Sequence, residues 1–290
     1  MSEIVLKDMS EYPSVVRRVF VTGERRAPRG LMTYDMGFTT IVLLNATSGM
    51  PLGVGRALNP AIGAVEAIQL IAGISSPELV LKVAPQFERY SEPDDMLPGA
   101  RMFWGAYGER VKLQALAQIK KLTSDPLTRQ AIITLWDPWL DNIDGKHDYP
   151  CTIALHFFIR DGLLDMNTIM RSNDVWLGLP YDVFQFTQLQ ATMARALGTE
   201  PGVYRHTTLS LHLYERDIDA AEDLFQAYAD NMGQVRKNYR ETFQPQGFGR
   251  LGDSFNQIML RARMILHNEE LVGEATPSER WYRDQLYPTS

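Results

Sequence analysis

The side chains best suited to chemistry are one cysteine and a polar loop that follows it by twenty residues. Cys151, the only cysteine, stands after a proline in DYPCTIALHFF. Free cysteine is most often a buried small hydrophobe, but a nearby cation favours the thiolate and makes it a nucleophile. The loop MRSNDVWLGLPYDVF contains such a cation, Arg171, together with Ser172, Asp174 and Asp182. Because functional loops commonly connect a strand to a helix, this loop favours a catalytic cysteine.

The same loop also has a purely structural interpretation. Asp182 is suited to cap the helix that follows it, because an acidic side chain interacts favourably with the unpaired N–H groups of a helix N-terminus. On residue types alone this interpretation is as good as the catalytic one. The elements around the loop are needed to decide between them.

Strand and helix patterns follow one another without a regular βαβ order, which predicts an α+β fold. The runs FTTIVLLN, QAIITLWDP and HTTLSLHLYERD are typical of strands, and TIALHFFIRDGLLDMNTIM predicts a hairpin that turns at RDG. NPAIGAVEAIQLIAG predicts a helix that contains Glu66 and ends at Gly73, and IDAAEDLFQAYADNM predicts another helix. GLPYDVFQFTQLQATMARALG predicts a helix with one apolar stripe, formed by Val183, Phe186, Leu189, Met193 and Leu197.

Composition limits the class of protein and its partners. The 290 residues have the 45% hydrophobic and 22% charged side chains of an ordinary globular protein, and no repeat or linker divides them, so we expect one domain over 1–290. A net charge of −6 gives no broad cationic field for nucleic acid. With one cysteine, no apolar signal core in MSEIVLKDMS and no apolar run of about twenty residues, we expect a cytoplasmic protein without a membrane segment or an intrachain disulfide.

Three separated segments together resemble the signature of the thymidylate synthase family. They are the Pro-Cys pair at 150–151, the string RSNDVWLGLPYD at 171–182 and the His-Leu-Tyr triplet at 212–214, with the spacings of the family. The resemblance extends upstream through Glu66, seven residues before a glycine, and through the Tyr-Gly pair at 107–108. It covers the chain from about residue 20 to 220. It implies the mixed sheet with packed helices of that family, assembled as a homodimer through the sheet.

The resemblance implies covalent catalysis on a pyrimidine nucleoside monophosphate. Cys151 would add to C6 of the base, so that C5 attacks the one-carbon unit of 5,10-methylenetetrahydrofolate. Glu66 and Tyr107 would organise water and proton transfers, and Asp182 would read the base. Taken alone, Glu66 would be interpreted as a helix-surface carboxylate and Tyr107 as a core aromatic. The resemblance implies no metal.

The resemblance also implies where the phosphate and the sugar bind. Guanidinium groups suit a phosphate dianion because they bind its oxygens in pairs, although a solvated arginine is the ordinary alternative. Arg25 is an equally near candidate for the role of Arg26, and Arg129 would reach across the dimer. Side chains two apart on a strand face the same way and can reach one ribose hydroxyl. The implied residues are Arg26, Arg129, Arg171 and Ser172 for the phosphate, His212 and Tyr214 for the sugar, and Asp174.

Asp182 stands where thymidylate synthases have an asparagine. An amide answers the N3–H donor and the O4 acceptor of uracil with one acceptor and one donor. A carboxylate offers only acceptors, which match the N4 amino group and a protonated N3 of cytosine, but oppose uracil O4 at a cost of about 1–3 kcal/mol. The aspartate therefore predicts a cytidylate substrate, and it resembles the deoxycytidylate hydroxymethylase branch of the family.

Further departures from the synthase pattern are compatible with capture of water, rather than hydride, at the methylene intermediate. SSPELVLKVAPQFERYSEPDD lacks a tryptophan, with Phe87 and Tyr90 nearest to its place, and WYRDQLYPTS does not resemble the folate-closing C-terminus of the synthases. Thr152 and His156 also differ from the synthase pattern in this way. Gln130 replaces the second arginine of a pair, and Ser210 replaces an aspartate before the His-Leu-Tyr triplet. These last two departures put phosphate and sugar binding in question.

We therefore predict an enzyme that converts dCMP, methylenetetrahydrofolate and water into 5-hydroxymethyl-dCMP and tetrahydrofolate. The alternatives are a CMP 5-hydroxymethylase of a modified-nucleoside pathway and a dUMP methylase or hydroxymethylase, which Asp182 disfavours. A catalytically idle relative that binds nucleotides or its own messenger RNA is an alternative of another class. The retained Cys151, Glu66 and Arg171 argue against idleness, and the net acidity argues against extended RNA contact.

Overall fold

A mixed sheet with packed helices forms the centre of the computed structural model, which describes residues 2–47, 49–94 and 97–288. None of the helices in these ranges is long and apolar enough to cross a membrane. The α-helices described are α1 (Tyr12–Thr22), α2 (Pro60–Ala72), α3 (Pro77–Val83), α4 (Gly108–Ser124), α5 (Leu179–Ala196), α6 (Ile218–Glu241), α7 (Phe255–Leu266) and α8 (Pro277–Leu286). The strands described are β1 (Ser2–Leu6), β2 (Glu24–Arg26), β3 (Thr33–Asp35), β4 (Thr39–Leu43), β5 (Glu92–Pro93), β6 (Arg101–Met102), β7 (Ile132–Thr134), β8 (Thr152–Arg160), β9 (Leu163–Met170), β10 (Asn173–Asp174), β11 (Glu200–Thr208) and β12 (Leu211–Tyr214).

The large sheet combines parallel and antiparallel pairs. Within the described ranges it has six strands in the order β1-β4-β11-β9-β8-β7. The pairs β1–β4 and β9–β11 are parallel, and the other neighbouring pairs are antiparallel. β8 and β9 form the predicted hairpin, whose turn residues Asp161 and Gly162 have φ of 51° and 77°. The predicted α+β mixed sheet is confirmed.

Helices α2 and α5 pack against each other beneath this sheet, and both are buried on almost every side. α5 also contacts β9, β11 and α7, while α2 contacts α4, α7 and α8. The predicted apolar stripe of α5 is largely buried, but burial extends beyond it, because Phe184, Thr187 and Gln188 lie outside that stripe and are also fully buried. A helix enclosed by a sheet and other helices has no solvent face, so periodicity alone underestimated its burial.

The buried polar side chains of α5 bond to neighbouring backbone. Gln188 donates from Nε2 to the Pro245 carbonyl oxygen at 2.8 Å and accepts the Gly247 N–H at 2.7 Å. The Thr192 hydroxyl oxygen accepts the Phe248 N–H at 3.0 Å. These bonds satisfy polar groups that burial would otherwise leave without partners, and they tie the segment before α7 to the core.

The strand predicted for HTTLSLHLYERD is in fact two strands in different sheets. β11 ends at Thr208 in the large sheet, and β12 begins at Leu211 in a smaller sheet of order β10-β12-β3-β2. Leu209 lies at the corner between them and is 48% exposed. The apolar alternation of Leu209, Leu211 and Leu213 continues through this corner, so the sequence pattern did not reveal the break.

The face of the large sheet that points away from α5 is partly apolar. Val5, Leu44 and Ile169 are exposed there. His156 and Asn167 are opposite one another on β8 and β9, and among the described residues His156 Nε2 and Asn167 Oδ1 are buried without a hydrogen-bond partner. Burial of such atoms without partners is costly, so this face is suited to contact with another surface.

Gly108, the first residue of α4, lies so close to the end of α2 that a side chain does not fit. A Cβ at this position would come within 2.0 Å of the Ile74 carbonyl oxygen. We expect Gly108→Ala to lower the free energy of unfolding by about 1–3 kcal/mol, because the two backbones have to separate. Gly233 in α6 is the control: its Cβ would meet nothing within 4 Å. Gly233→Ala should raise that free energy by about 0.5–1 kcal/mol in urea denaturation, and effects of the same sign would refute the steric argument.

Candidate active site

A cavity of about 310 Å³ lies between α2, α5 and the segment that precedes β8. All four residues predicted to be catalytic line it. Glu66 comes from α2, Tyr107 directly precedes α4, Cys151 directly precedes β8 and Asp182 lies in the first turn of α5. The fold therefore brings together side chains that are far apart in the sequence.

Cys151 lies beside the guanidinium group of Arg171. Arg171 Nε donates to the Pro150 carbonyl oxygen at 2.9 Å, and the Arg171 backbone N–H donates to the Cys151 carbonyl oxygen at 2.8 Å. Burial raises the pKa of the Cys151 thiol, while Arg171 and a hydrogen bond from Ser172 oppose that rise. Loss of water on burial and the positive charge of Arg171 therefore act on the Cys151 pKa in opposite directions. The activation of Cys151 by Arg171 stays a prediction.

Glu66 is not the helix-surface carboxylate that its place in the sequence alone suggests. It lines the cavity, and within the described part of the chain its Oε2 atom is buried without a hydrogen-bond partner. Burial, with a smaller effect from Asp182, raises the pKa of Glu66 from 4.5 to about 8. A carboxyl group that is protonated at neutral pH and faces a cavity is suited to giving a proton and taking one back.

Tyr107 is held by the residue that follows the cysteine. The Tyr107 hydroxyl oxygen accepts the Thr152 backbone N–H at 3.2 Å and the Thr152 hydroxyl at 3.0 Å. Its ring stacks on Phe186 with centroids 5.8 Å apart. Burial raises the pKa of Tyr107 well above its usual range. Because both bonds are donated to the oxygen, the phenolic proton stays available to a molecule in the cavity.

Asp182 does not cap α5, because the N-cap is Gly178 and no side-chain capping bond is made there. Instead its carboxyl oxygens accept two amide donors, Asn173 Nδ2 at 2.6 Å and Gln185 Nε2 at 3.1 Å. Burial raises the pKa of Asp182 to about 7, against the effect of these two hydrogen bonds. The group therefore exists as both acid and carboxylate near neutral pH.

Sequence reasoning missed both amide partners of Asp182. Asn173 lies inside the recognised string, but nothing in its type indicated that it would bond to a side chain nine residues later. Gln185 is three residues after Asp182 on the same helix, and this spacing places both side chains on one face. That spacing was the available signal for Gln185.

Asp148 is a further acid in the cavity wall that sequence reasoning missed. Its Oδ2 atom accepts the Gly105 N–H at 3.1 Å. Burial raises the pKa of Asp148, against the effects of that bond and of Arg171. Although several acids line the cavity, no group of three or more His, Cys, Asp or Glu side chains in the described ranges is arranged to hold a metal ion.

The small sheet collects most of the residues predicted to bind the phosphate and the sugar. Asp174 on β10 lies opposite His212 on β12. Tyr214 and Arg26 lie on either side of Thr33, which places their backbones in one row across three strands, about 10 Å apart. The predicted phosphate residues 171–172 lead directly into β10. Arg129 is the exception, because it is exposed beside β7 at the far edge of the large sheet.

The contacts within this group are mostly local. Asp174 Oδ1 accepts the Trp176 and Leu177 N–H groups at 2.8 and 3.1 Å, which stabilises the turn before α5. The rings of His212 and Tyr214 meet edge to face with centroids 5.2 Å apart. The contact of Asp174 with a substrate stays a prediction.

The exposed arginines of β2 are paired with acids. Arg26 Nη2 lies 2.6 Å from Glu24, and Arg25 Nη2 lies 2.7 Å from Glu215. Exposed ion pairs of this kind are weak, so an anionic ligand can replace either acid. Both arginines are therefore candidates for the phosphate ligand.

Asp35 is another residue that sequence reasoning missed. It lies opposite His212 on β3, and its Oδ2 atom accepts the Ser210 hydroxyl at 2.8 Å. Ser210 was noted as a departure from an aspartate. Asp35 therefore places a carboxylate beside the His-Leu-Tyr triplet from a different strand.

Part of the cavity wall is apolar and includes two polar atoms that have no hydrogen-bond partner among the described residues. These atoms are Gln69 Nε2 and Ser75 Oγ, and both are buried. Flat apolar walls with a few free polar atoms suit a ring system with polar edges. The apolar side chains there are Ile74, Val80, Phe87 and Tyr90.

Comparison with known proteins shows which proteins this chain is similar to. The family model described as "Thymidylate synthase" matches residues 10–247. A deoxyuridylate hydroxymethyltransferase of Bacillus phage SP01 is 30% identical over 257 residues, which are 81% of this chain and 66% of that protein. A protein of the same name from Pseudomonas phage M6 is 29% identical over 76% of this chain and 63% of its own length. A thymidylate synthase of Bacillus licheniformis is 36% identical over 35% of this chain and 36% of its own length. The chain thus spans less than two thirds of each relative.

Stability should depend on pH through Glu66. Its pKa is higher in the folded protein, so the folded state binds more protons than the unfolded chain between pH 4.5 and about 8. The free energy of unfolding should therefore fall as the pH rises through that window, by up to about 1.4 kcal/mol per pH unit from this group. Glu66→Gln should reduce the slope in urea denaturation, while Glu222→Gln, at an exposed position on α6, should leave it unchanged. An unchanged slope in Glu66→Gln would contradict the assignment.

Proposed function

Because this chain belongs to the thymidylate synthase family, we propose that it is a deoxycytidylate 5-hydroxymethyltransferase. In the proposed reaction dCMP, 5,10-methylenetetrahydrofolate and water give 5-hydroxymethyl-dCMP and tetrahydrofolate. Two of its relatives are named hydroxymethyltransferases, which supports the addition of water over hydride transfer.

The observation that carries the proposal is the convergence of Cys151, Glu66, Tyr107 and Asp182 on one cavity. A thiol supplies the nucleophile, and two groups with raised pKa values, Glu66 and Tyr107, supply protons and accept them. Asp182 faces the cavity as the group that reads the base. An idle relative would have no need to keep this combination.

The chemistry of the proposed reaction balances with water as the only further reactant. The Cys151 sulfur, after losing its proton, forms a bond to C6, and C5 then bonds to the one-carbon unit that methylenetetrahydrofolate supplies. Loss of the C5 proton and departure of tetrahydrofolate leave an exocyclic methylene group. Hydroxide from water adds to that methylene, and departure of the thiolate from C6 restores the aromatic ring. Glu66 and Tyr107 hold and move protons in these steps.

The small sheet is the proposed platform for the phosphate and the sugar. Arg171 and Ser172 lie next to Cys151, so a phosphate bound there would place the base over the thiol. His212 and Tyr214 would bind a sugar hydroxyl from β12. Arg26 approaches the same row from β2 and would complete the phosphate site.

The apolar part of the cavity is the proposed site for the folate. Phe87 and Tyr90 offer aromatic surface, and their ring centroids lie 6.1 Å apart. Gln69 Nε2 and Ser75 Oγ, which have no hydrogen-bond partner in the described part of the chain, would bond to polar edges of the folate ring system. The site thus combines aromatic surface with polar atoms that lack partners, which suits the co-substrate.

The carboxylate form of Asp182 supports a cytidylate substrate. Two acceptor oxygens match the N4 amino group and a protonated N3, and they oppose the O4 acceptor of uracil. CMP stays an alternative, because a pair of side chains on one strand can reach a sugar hydroxyl in either nucleotide.

The protonated form of Asp182 supports a second candidate, dUMP. A carboxylic acid presents one donor and one acceptor, as an amide does, and these match O4 and N3–H of uracil. With a pKa of about 7, the acid form is well populated near neutral pH. The names of the two phage relatives, which refer to deoxyuridylate, are compatible with this candidate.

We further propose a homodimer through the outer face of the large sheet. That face exposes Val5, Leu44 and Ile169, and it holds the unpartnered polar atoms of His156 and Asn167. A second copy would cover the apolar side chains and supply partners to the polar atoms. Arg129, which is exposed at the sheet edge, would then be available to the neighbouring subunit.

Release of tritium from C5 of labelled dCMP, CMP and dUMP, with methylenetetrahydrofolate present, tests the reaction. We expect release from a cytidylate, with a hydroxymethyl group in the product by mass. Cys151→Ser should lower the rate by about a thousandfold or more while circular dichroism shows an intact fold. A methylated product with dihydrofolate would identify a synthase, and a folded wild-type protein that releases no tritium would be an idle relative.

The choice of base should change with pH around the pKa of Asp182. Below about pH 7 a growing fraction of Asp182 is protonated, which should favour dUMP over dCMP. The ratio of kcat/KM for dCMP to kcat/KM for dUMP should therefore fall about tenfold per pH unit. Above that pH the acid form that accepts dUMP becomes scarcer, so the ratio should continue to rise until the weaker use of dUMP by the carboxylate form limits it. Asp182→Asn should give a low ratio that does not change between about pH 6 and 8, because an amide does not titrate. A flat profile in the wild-type protein would exclude Asp182 as the titrating base reader.

A further inference from the structure

We propose that a buried chain of hydrogen bonds from Tyr204 through His206 and Asn173 positions the Asp182 carboxyl and favours its cytidylate-reading form. The inference rests on the proposed function, because base choice has meaning only for a nucleotide substrate. The three residues do not line the cavity wall, so they are positioning residues and not catalytic ones.

The chain is continuous and completely enclosed. The Tyr204 hydroxyl lies 2.8 Å from His206 Nδ1, and His206 Nε2 lies 3.1 Å from Asn173 Oδ1. Asn173 Nδ2 then donates to Asp182 Oδ2 at 2.6 Å. Tyr204 and His206 are 0% exposed and Asn173 is 4% exposed. Side chains from β11 and β10 thus end on the first turn of α5, which carries the base reader.

The charge state of His206 gives this chain a direction. Burial lowers the pKa of His206 to about 3, so the imidazole is neutral and carries a single proton. Asn173 donates to Asp182 with its amide nitrogen, so its oxygen faces His206 and requires a donor. His206 Nε2 therefore holds the proton, and Nδ1 requires the Tyr204 hydroxyl as its donor. That hydroxyl has a single proton, which it donates to the Thr168 hydroxyl, 3.0 Å away, when the chain runs in the opposite direction.

This directed chain prevents the Asn173 amide from turning over. Rotation would place the Asn173 nitrogen against the His206 N–H and its oxygen against a carboxylate oxygen, so two favourable bonds would become two repulsive contacts. With this arrangement of protons Asp182 meets a donor from this side. A fixed donor stabilises the carboxylate and opposes the burial that favours the acid.

Gln185, the second partner of Asp182, is not held in this way. It lies in the wall of the cavity, and its amide has no second side-chain partner among the hydrogen bonds described. It can turn over when Asp182 gains a proton. We therefore assign the stabilisation of the Asp182 carboxylate to Asn173 and to the chain of hydrogen bonds that holds it.

Other ionisable groups act on Asp182 and have to be held constant in any test. Asp174 raises its pKa, and Asp182 in turn raises the pKa values of Glu66, Cys151, Tyr107 and Tyr204. All of these groups, Tyr204 included, remain when the chain is broken at His206. A comparison of the wild-type protein with His206→Phe therefore isolates the effect of the chain.

Carbon-13 NMR of protein labelled at the Asp carboxyl carbon measures the Asp182 pKa without any substrate. Asp182→Asn identifies the signal by its disappearance. His206→Phe keeps a ring but removes the donor that holds Asn173, so the Asp182 pKa should rise by about one unit, the equivalent of one charged hydrogen bond. Tyr204→Phe removes a single hydroxyl, should perturb folding less, and should give a smaller rise.

Thr208→Val is the matched control. Thr208 is buried on the same face of β11 two residues after His206, and its hydroxyl is outside the chain. This variant tests whether loss of any buried polar group on that face has the same effect. It should leave the Asp182 pKa unchanged. An unchanged pKa in both His206→Phe and Tyr204→Phe, or an equal rise in Thr208→Val, would overturn the proposal.

The pH dependence of base choice gives a second readout. In His206→Phe the pH profile of the dCMP to dUMP ratio should move up by about one pH unit, so the ratio at pH 7 should fall by up to about tenfold. A purely structural role would lower stability and leave this profile in place. If the wild-type protein acts on neither nucleotide, the proposed function fails, while the NMR titration still decides whether the chain controls Asp182.

Discussion

Loss of water from one cavity is the constraint on which the site depends. Burial raises the pKa values of Glu66, Cys151 and Asp182, so three acidic groups lie close together with little charge at neutral pH. In water they would ionise at lower pH and repel one another. The cavity exists only while α2 and α5 remain packed, because each helix supplies one of its carboxyl groups. The packing of these helices therefore also controls the protonation of the side chains in the cavity.

Helix α5 contributes both to the packing of the core and to the cavity. Its apolar side chains fill the space under the large sheet, and its buried glutamines and threonines bond to backbone on several sides. Its first turn carries Asp182, which is held by Asn173 from β10 and Gln185 from the helix itself. A side chain on a helix that is packed on almost every side keeps its geometry without help from a ligand.

The remaining parts of the site are assembled across strands. β10, β12, β3 and β2 bring together residues from four separate stretches of the chain, with Tyr214 and Arg26 in one row and Asp174 opposite His212. Asp35 joins this group from β3, although neither its type nor its position indicated a role. Strand register, which depends on pairing between distant segments, decides which of these side chains become neighbours.

The sequence by itself determined the α+β class and most helices and strands, because hydrophobic periodicity is a local property. It also indicated four residues that prove to line the cavity, because the spacing of a family signature can be read without a structure. It did not reveal how far burial extends around α5, and it was wrong about the continuity of the strand after His206. It was silent about Asp148, Asp35 and the amide partners of Asp182. Only the tertiary structure decided those, because burial and hydrogen bonding depend on atoms that come from distant parts of the chain.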